Sequence, residues 1–269
     1  MSIFNFGGKK KRVSETWDQR TMFGAGLNFA VSEAYKLLRT NIQFSFSEEG
    51  KGHVVGVTSS IQAEGKSSSA ANMAYAMAED DFKVLFMDCD LRRPSIASKL
   101  SLARSPGLTN LLVSKGDYRD VIQKCAAAPK LDIITAGDIP PNPSELLGSN
   151  RMQRLLEELR EVYDYIFVDL PPVTLVSDTL AMARALDGVI VVVRGGMAEQ
   201  KVLAEAMRQL KLVNVRVLGF VYRDSEVIGR KYAKHSNRYR YYRNSRPSEP
   251  GRHKEGEEQP CETAESEKK

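Results

Sequence analysis

The chain has 269 residues, 42% of them hydrophobic, enough for one large or two small domains with a sizeable core. Its net charge of +5 is local, because residues 229–248 hold seven Lys or Arg and no acid while 249–269 hold four bases and seven acids, and this argues against a nucleic-acid partner for the whole chain. No apolar run approaches the roughly 18 residues of a membrane span, the N-terminus lacks a signal core, and Cys89, Cys125 and Cys261 form no close pair, so a reduced, cytoplasmic protein without disulfides or zinc is expected.

Residues 1–26 read as a flexible, solvated basic arm, with weak attraction of Lys9, Lys10, Lys11 and Arg12 to an anionic membrane surface as the sharper alternative. A domain then spans 27–225. Helical spacing from Ser32 puts Tyr35, Leu38 and Ile42 on one face. Glu33, Lys36 and Arg39 recur every three residues along a flank, which by itself is a solvated, salt-bridged face.

The organising stretch is 53–94. An apolar run at 54–57 reads as a buried strand, and the chain then bends through Ser59 to reach Gly65-Lys66-Ser67. Ala70, Met73, Ala74 and Met77 follow at helical spacing, and a second apolar run at 84–87 ends at Asp88-Cys89-Asp90. A polyphosphate needs converging backbone N–H groups at a helix N-terminus, where the helix dipole also favours negative charge. Ser60, Ile61, Gln62, Ala63, Glu64, Gly65, Lys66, Ser67 and Ser68 can supply that nest. Lys66 is placed to reach the β- and γ-phosphates and the Ser67 hydroxyl to ligate Mg²⁺. The first position of the usual G-x-x-x-x-G-K-[ST] pattern is Ser60 here.

Further along, 107–112 reads as a short helix and 131–136 as a buried strand. The Pro-rich segment 137–147 turns helical from Ser144, with no chemical role of its own. An amphipathic helix at 151–163 feeds a strand ending at Asp169, an acid that can hold Mg²⁺ directly or through water. Strands at 188–193 and 217–221 flank a helix at about 199–212. Apolar runs alternating with helices predict an α/β fold, a P-loop NTPase-like parallel sheet with helices on both faces. Gly65, Asp88 and Asp169 all follow strand ends, where ligands bind in such sheets. Residues 226–269 read as a flexible, Tyr-rich basic and then acidic tail. Tyr232, Tyr239, Tyr241 and Tyr242 lie among its bases with few aliphatic residues, which does not suit a core.

Together, the Gly65-Lys66-Ser67 loop, Asp88-Cys89-Asp90-Leu91-Arg92, the 33–39 flank, the 137–147 segment and the tyrosine cluster resemble the bacterial protein-tyrosine kinases (BY-kinases) of capsule and exopolysaccharide synthesis. The resemblance covers roughly residues 32–221. It implies an ATP-dependent autokinase, with ATP and Mg²⁺ as cofactors and Lys66, Asp88 and Asp90 as catalytic residues. Ser67, Asp88 and Asp169 would serve as metal ligands, and Tyr232, Tyr239, Tyr241 and Tyr242 as autophosphorylation sites. Either Asp88 or Asp90 could accept the acceptor hydroxyl's proton, since alternate residues of an extended stretch point opposite ways. The resemblance further implies ring assembly through Glu33, Lys36 and Arg39. It also implies a membrane polysaccharide co-polymerase as activator, which would hold the protein at the inner face of the membrane. The family commonly has an Asn near the end of the last strand, where this chain has Arg223. A partition- or septum-type ATPase, or a nucleotide-binding adaptor, are the competing readings. The first usually has an extra Lys early in its phosphate loop, which residues 60–64 lack, and the intact acids argue against the second.

Overall fold

The computed structural model describes residues 27, 29–46, 50–114, 116–197 and 199–223. The expected arm at 1–26 and tail at 226–269 lie outside them, and so do all four tail tyrosines.

A seven-stranded sheet runs through the domain. Its strands are β1 (His53–Ser59), β2 (Val84–Asp88), β3 (Ile122–Lys124), β4 (Leu131–Ile134), β5 (Tyr165–Asp169), β6 (Gly188–Arg194) and β7 (Val217–Arg223), in the order β3-β4-β2-β5-β1-β6-β7. Every neighbouring pair is parallel except β3 with β4. Side chains alternate between the faces of a pleated strand. Here that alternation separates two cores. Val54, Leu85, Met87, Ile166 and Val168 face one, and Val55, Val57, Phe86 and Phe167 face the other.

The first core is covered by α4 (Leu108–Val113), α6 (Asn150–Arg160) and α8 (Gln200–Leu212). On α6, Met152, Leu155, Leu156 and Leu159 form the buried stripe, and the Ser149 hydroxyl caps the helix by accepting the Met152 N–H at 3.2 Å. The second core is covered by α1 (Phe29–Ser45), α2 (Lys66–Ala78) and α3 (Ile96–Lys99). Nearly all of α2 is buried, which its sequence permits, since Ala70, Ala71, Ala74 and Ala76 let the helix lie close to the sheet. Two more short helices, α5 (Pro143–Leu147) and α7 (Asp178–Ala181), pack on each other near the carboxyl ends of the strands.

The expected parallel sheet with helices on both faces is present. The structure adds the antiparallel edge strand β3, extends the last strand to Arg223, and starts the first helix at Phe29 rather than Ser32. Cys89 and Cys125 are buried and unbridged. No helix among the described residues is long and apolar enough to cross a membrane.

Candidate functional site

The phosphate loop joins β1 to α2. Gly65 caps α2 with φ 87° and ψ 23°, a left-handed conformation that glycine adopts without steric cost. Ala63 is also left-handed, with φ 64°. Between them the Glu64 carboxylate turns inward and is fully buried. It accepts the Ser60 hydroxyl and the Ile61 N–H, both at 2.9 Å, and the Arg194 N–H at 3.2 Å. Ser60, Ile61 and Glu64 therefore shape the loop from inside. Gln62, Ala63, Gly65, Lys66 and Ser67 line a cleft of about 530 Å³.

Three acids converge on that loop because their strands are neighbours. β5 lies between β1 and β2, and Asp169 is the register partner of both Val57 and Asp88. The Lys66 ammonium reaches Asp90 Oδ2 at 2.8 Å and Asp169 Oδ1 at 3.3 Å. Burial works against this ammonium, but Asp169, Asp90 and Asp88 outweigh it and its pKa rises. Burial pushes the Asp88 carboxyl up to about 7, reinforced by Asp169 and opposed by the Ile96 N–H and Lys66. Burial likewise raises Asp169, against the pull of Lys66 and Ser67.

The two acids of the Asp88-Cys89-Asp90 motif are placed differently. Asp88 is buried and accepts three backbone N–H groups, from Asp90 at 3.2 Å, Ser95 at 3.2 Å and Ile96 at 3.1 Å. Asp90 lines the cleft beside Lys66.

The fit to Mg²⁺ rests on Asp169. Its Oδ2 is buried and has no hydrogen-bond partner, which is costly unless a cation or donor reaches it. No group of three or more His, Cys, Asp or Glu side chains among the described residues forms a metal cage. Mg²⁺ does not need one, since it keeps several waters and binds through one or two protein oxygens plus substrate phosphates. The oxygens of Ser67 and Asp169 fit that requirement as residues that would hold the ion, while Asp88 already accepts three backbone N–H groups.

Several residues of the site have partners that the sequence did not signal. Arg92, the basic member of the acidic motif, forms a two-pronged ion pair with buried Asp178 at 2.9 and 3.0 Å. Ser144 of the Pro-rich segment donates to the same carboxylate, so that segment braces the Arg92–Asp178 pair. An arginine in a motif, with no acid assigned to it, was the available clue. Arg93 donates to Gln62 Oε1 at 2.9 Å. Arg223, at the end of β7, donates to the Gly65 carbonyl at 3.3 Å. A larger groove of about 730 Å³ along α6 shares no residue with this site and is rimmed by charges of both signs.

The 33–39 flank is only partly solvated. Lys36 pairs with Glu33 at 2.8 Å on the surface. Arg39 turns toward α2 instead, donating to the Ala76 carbonyl at 3.1 Å, with Asp80 at 3.4 Å.

Residues 55–217 match the AAA domain family. The chain is 36% identical to the tyrosine-protein kinase YwqD of Bacillus subtilis over 78% of its own length and 86% of that protein's. It is 32% identical to the tyrosine-protein kinase CpsD of Streptococcus agalactiae over 70% and 80%. The solved kinase domain of the Escherichia coli tyrosine kinase ETK superposes with a TM-score of 0.68 at 33% identity, over 72% of this chain and 75% of that one. A cobyrinic acid a,c-diamide synthase from Mycobacterium smegmatis, solved with an ATP analogue and magnesium, shares the fold at 18% identity and a TM-score of 0.57. The sheet order, the phosphate loop and the acids at the strand ends thus occur in a chain whose relatives carry one activity in their names: it belongs to the bacterial tyrosine-protein kinases.

Proposed function

We propose that this protein is an ATP-dependent protein-tyrosine autokinase acting in capsular or exopolysaccharide synthesis and export, with Tyr232, Tyr239, Tyr241 and Tyr242 as its own acceptors. The observation that carries the proposal is the clamp of Lys66 between Asp90 and Asp169, beside an Asp169 oxygen that has no partner. A nucleotide in the cleft offers Lys66 its phosphates in place of the carboxylates. That exchange frees Asp90 and Asp169 Oδ1 together. Mg²⁺, when bound, would supply positive charge to offset that of the nucleotide's phosphates. Ser67 and Asp169 are its proposed ligands, while Asp88 is fixed by three backbone N–H groups.

In the transfer, the bond from the γ-phosphorus to the ADP oxygen breaks and a bond to the tyrosine oxygen forms. The phenol proton passes to a carboxylate. Asp90 is the better placed of the two candidates, because it lines the cleft while Asp88 is enclosed. Assembly of several copies through the Glu33–Arg39 stretch of α1, and activation by a membrane polysaccharide co-polymerase, complete the proposal. That activator would hold the enzyme at the inner face of the membrane.

The test is Lys66→Met incubated with Mg·ATP and probed for phosphotyrosine. Loss of the signal is expected, since the transition state loses several kcal/mol of charge stabilisation. Wild-type phosphotyrosine in the variant would sink the assignment of chemistry to this cleft.

A further inference from the structure

The cleft holds a cation that is neither paired nor used in the reaction as described. Lys99, the last residue of α3, lines the cleft with Lys66, Ser67 and Asp90. The fold aims it there. Asp88 accepts the Ser95 and Ile96 N–H groups and so pins the start of α3. Ile96 and Leu100, four residues apart on one helix face, are fully buried, which leaves Lys99 on the flank bordering the cleft.

The other cations of the cleft are all held. Lys66 is held by Asp90 and Asp169, Arg92 by Asp178, and Arg93 by Gln62. No hydrogen bond or ion pair holds the Lys99 ammonium among the described residues. Burial pushes its ammonium below the ordinary lysine value; Asp169 and Asp88 draw it while Lys66 and Arg223 repel it. A largely enclosed ammonium without a partner costs stability, and an anion in the cleft removes that cost. Lys99 arises from the segment that follows Asp90, not from the phosphate loop. On the proton-transfer reading above, Asp90 borders the phosphoryl group that moves. Lys99 lines the same cleft as Asp90, within reach of an anion bound there.

We propose that Lys99 is a second phosphate-binding cation, contacting the terminal, transferred phosphate of ATP. This rests on the phosphotransfer reading and adds a residue to it.

The experiment compares wild type, Lys99→Met, Lys99→Arg and Lys66→Met. Binding of a non-hydrolysable ATP analogue and of ADP, each with Mg²⁺, is measured alongside autophosphorylation at saturating ATP. Lys99→Met is expected to bind the triphosphate about tenfold more weakly while ADP affinity stays within about twofold. Its transfer rate should fall about 100-fold, and Lys99→Arg should recover most of both. The melting temperature of nucleotide-free Lys99→Met should match or exceed wild type, because an unpaired charge has been removed. Equal loss of triphosphate and ADP binding, or a lower melting temperature with loss of both, would mark a structural role and overturn the proposal. A wild-type transfer rate in Lys99→Met, with Lys66→Met inactive, would overturn this inference alone. Activity in Lys66→Met would overturn the kinase site and this inference with it.

Discussion

At the scale of single residues, the phosphate loop is held by local backbone geometry and one buried carboxylate. Gly65 cannot be replaced without strain, since its φ of +87° is left-handed, and a Cβ there would also displace the Arg223 guanidinium. Ala63 is the strained member, with a side chain at φ 64°. An L-residue in the left-handed region costs about 1–2 kcal/mol, and glycine gives back part of the gain through its more disordered unfolded state. Ala63→Gly is therefore expected to stabilise the nucleotide-free protein by about 0.5–1 kcal/mol, a rise of about 1–4 °C in melting temperature. A fall on thermal denaturation would mean that Ala63 contributes contacts outweighing its strain. Glu64 explains why the loop keeps its shape with Ser60 where a glycine is usual, because the Ser60 hydroxyl is itself one of the donors that satisfy the carboxylate.

At the scale of elements, α1 serves two purposes that its three-residue charge spacing does not distinguish. Arg39 stitches it to the C-terminal end of α2, whose carbonyl groups have no intrahelical partner there. Glu33 and Lys36 pair with each other on the surface, where such pairs contribute little to stability. Arg39→Ala should thus destabilise the chain by about 1–2 kcal/mol, whatever its assembly state. Glu33→Ala should change stability by less than about 0.5 kcal/mol, yet lower the mass seen in light scattering if this flank joins copies. An unchanged mass, from a wild type that is oligomeric, would remove Glu33 from the interface. The short helices α3, α5 and α7 act similarly as braces, and α5 and α7 bring Ser144 and Asp178 to Arg92.

At the scale of the whole molecule, the sheet places two carboxylates side by side at its centre. Asp88 and Asp169 are register partners at the ends of β2 and β5, both buried, and both with raised pKa values. Asp88 stands at about 7 in the folded chain against an ordinary 3.8. Between those values the folded state holds a proton that the unfolded state has released, so stability falls as pH rises through that window. Asp169→Asn removes one carboxylate and relieves its partner. In melts without nucleotide or Mg²⁺, the variant should therefore gain on wild type as pH moves from about 5 to about 8. A difference independent of pH would show that the two carboxylates do not share this cost.

The strands, the phosphate loop and the acids at strand ends were legible in the sequence because each depends on local order. Continuous apolar runs such as 84–87, a Gly-Lys-Ser before an Ala- and Met-rich helix, and the acids Asp88 and Asp169 closing two of the runs need no knowledge of distant partners. The strand β3 was not legible, since Ile122-Gln123-Lys124 is two half-buried residues and an exposed one, with no apolar run. Only the tertiary structure decided which acid faces the cleft, and that Lys99 stands there without a partner. It also decided that Arg92 meets Asp178, 86 residues away, and that Glu64 meets the Arg194 N–H, 130 residues away. The physical reason is the parallel topology. Each crossover returns the chain to the same end of the sheet after tens of residues, so side chains that share the site are set by strand order and register, which no local pattern encodes.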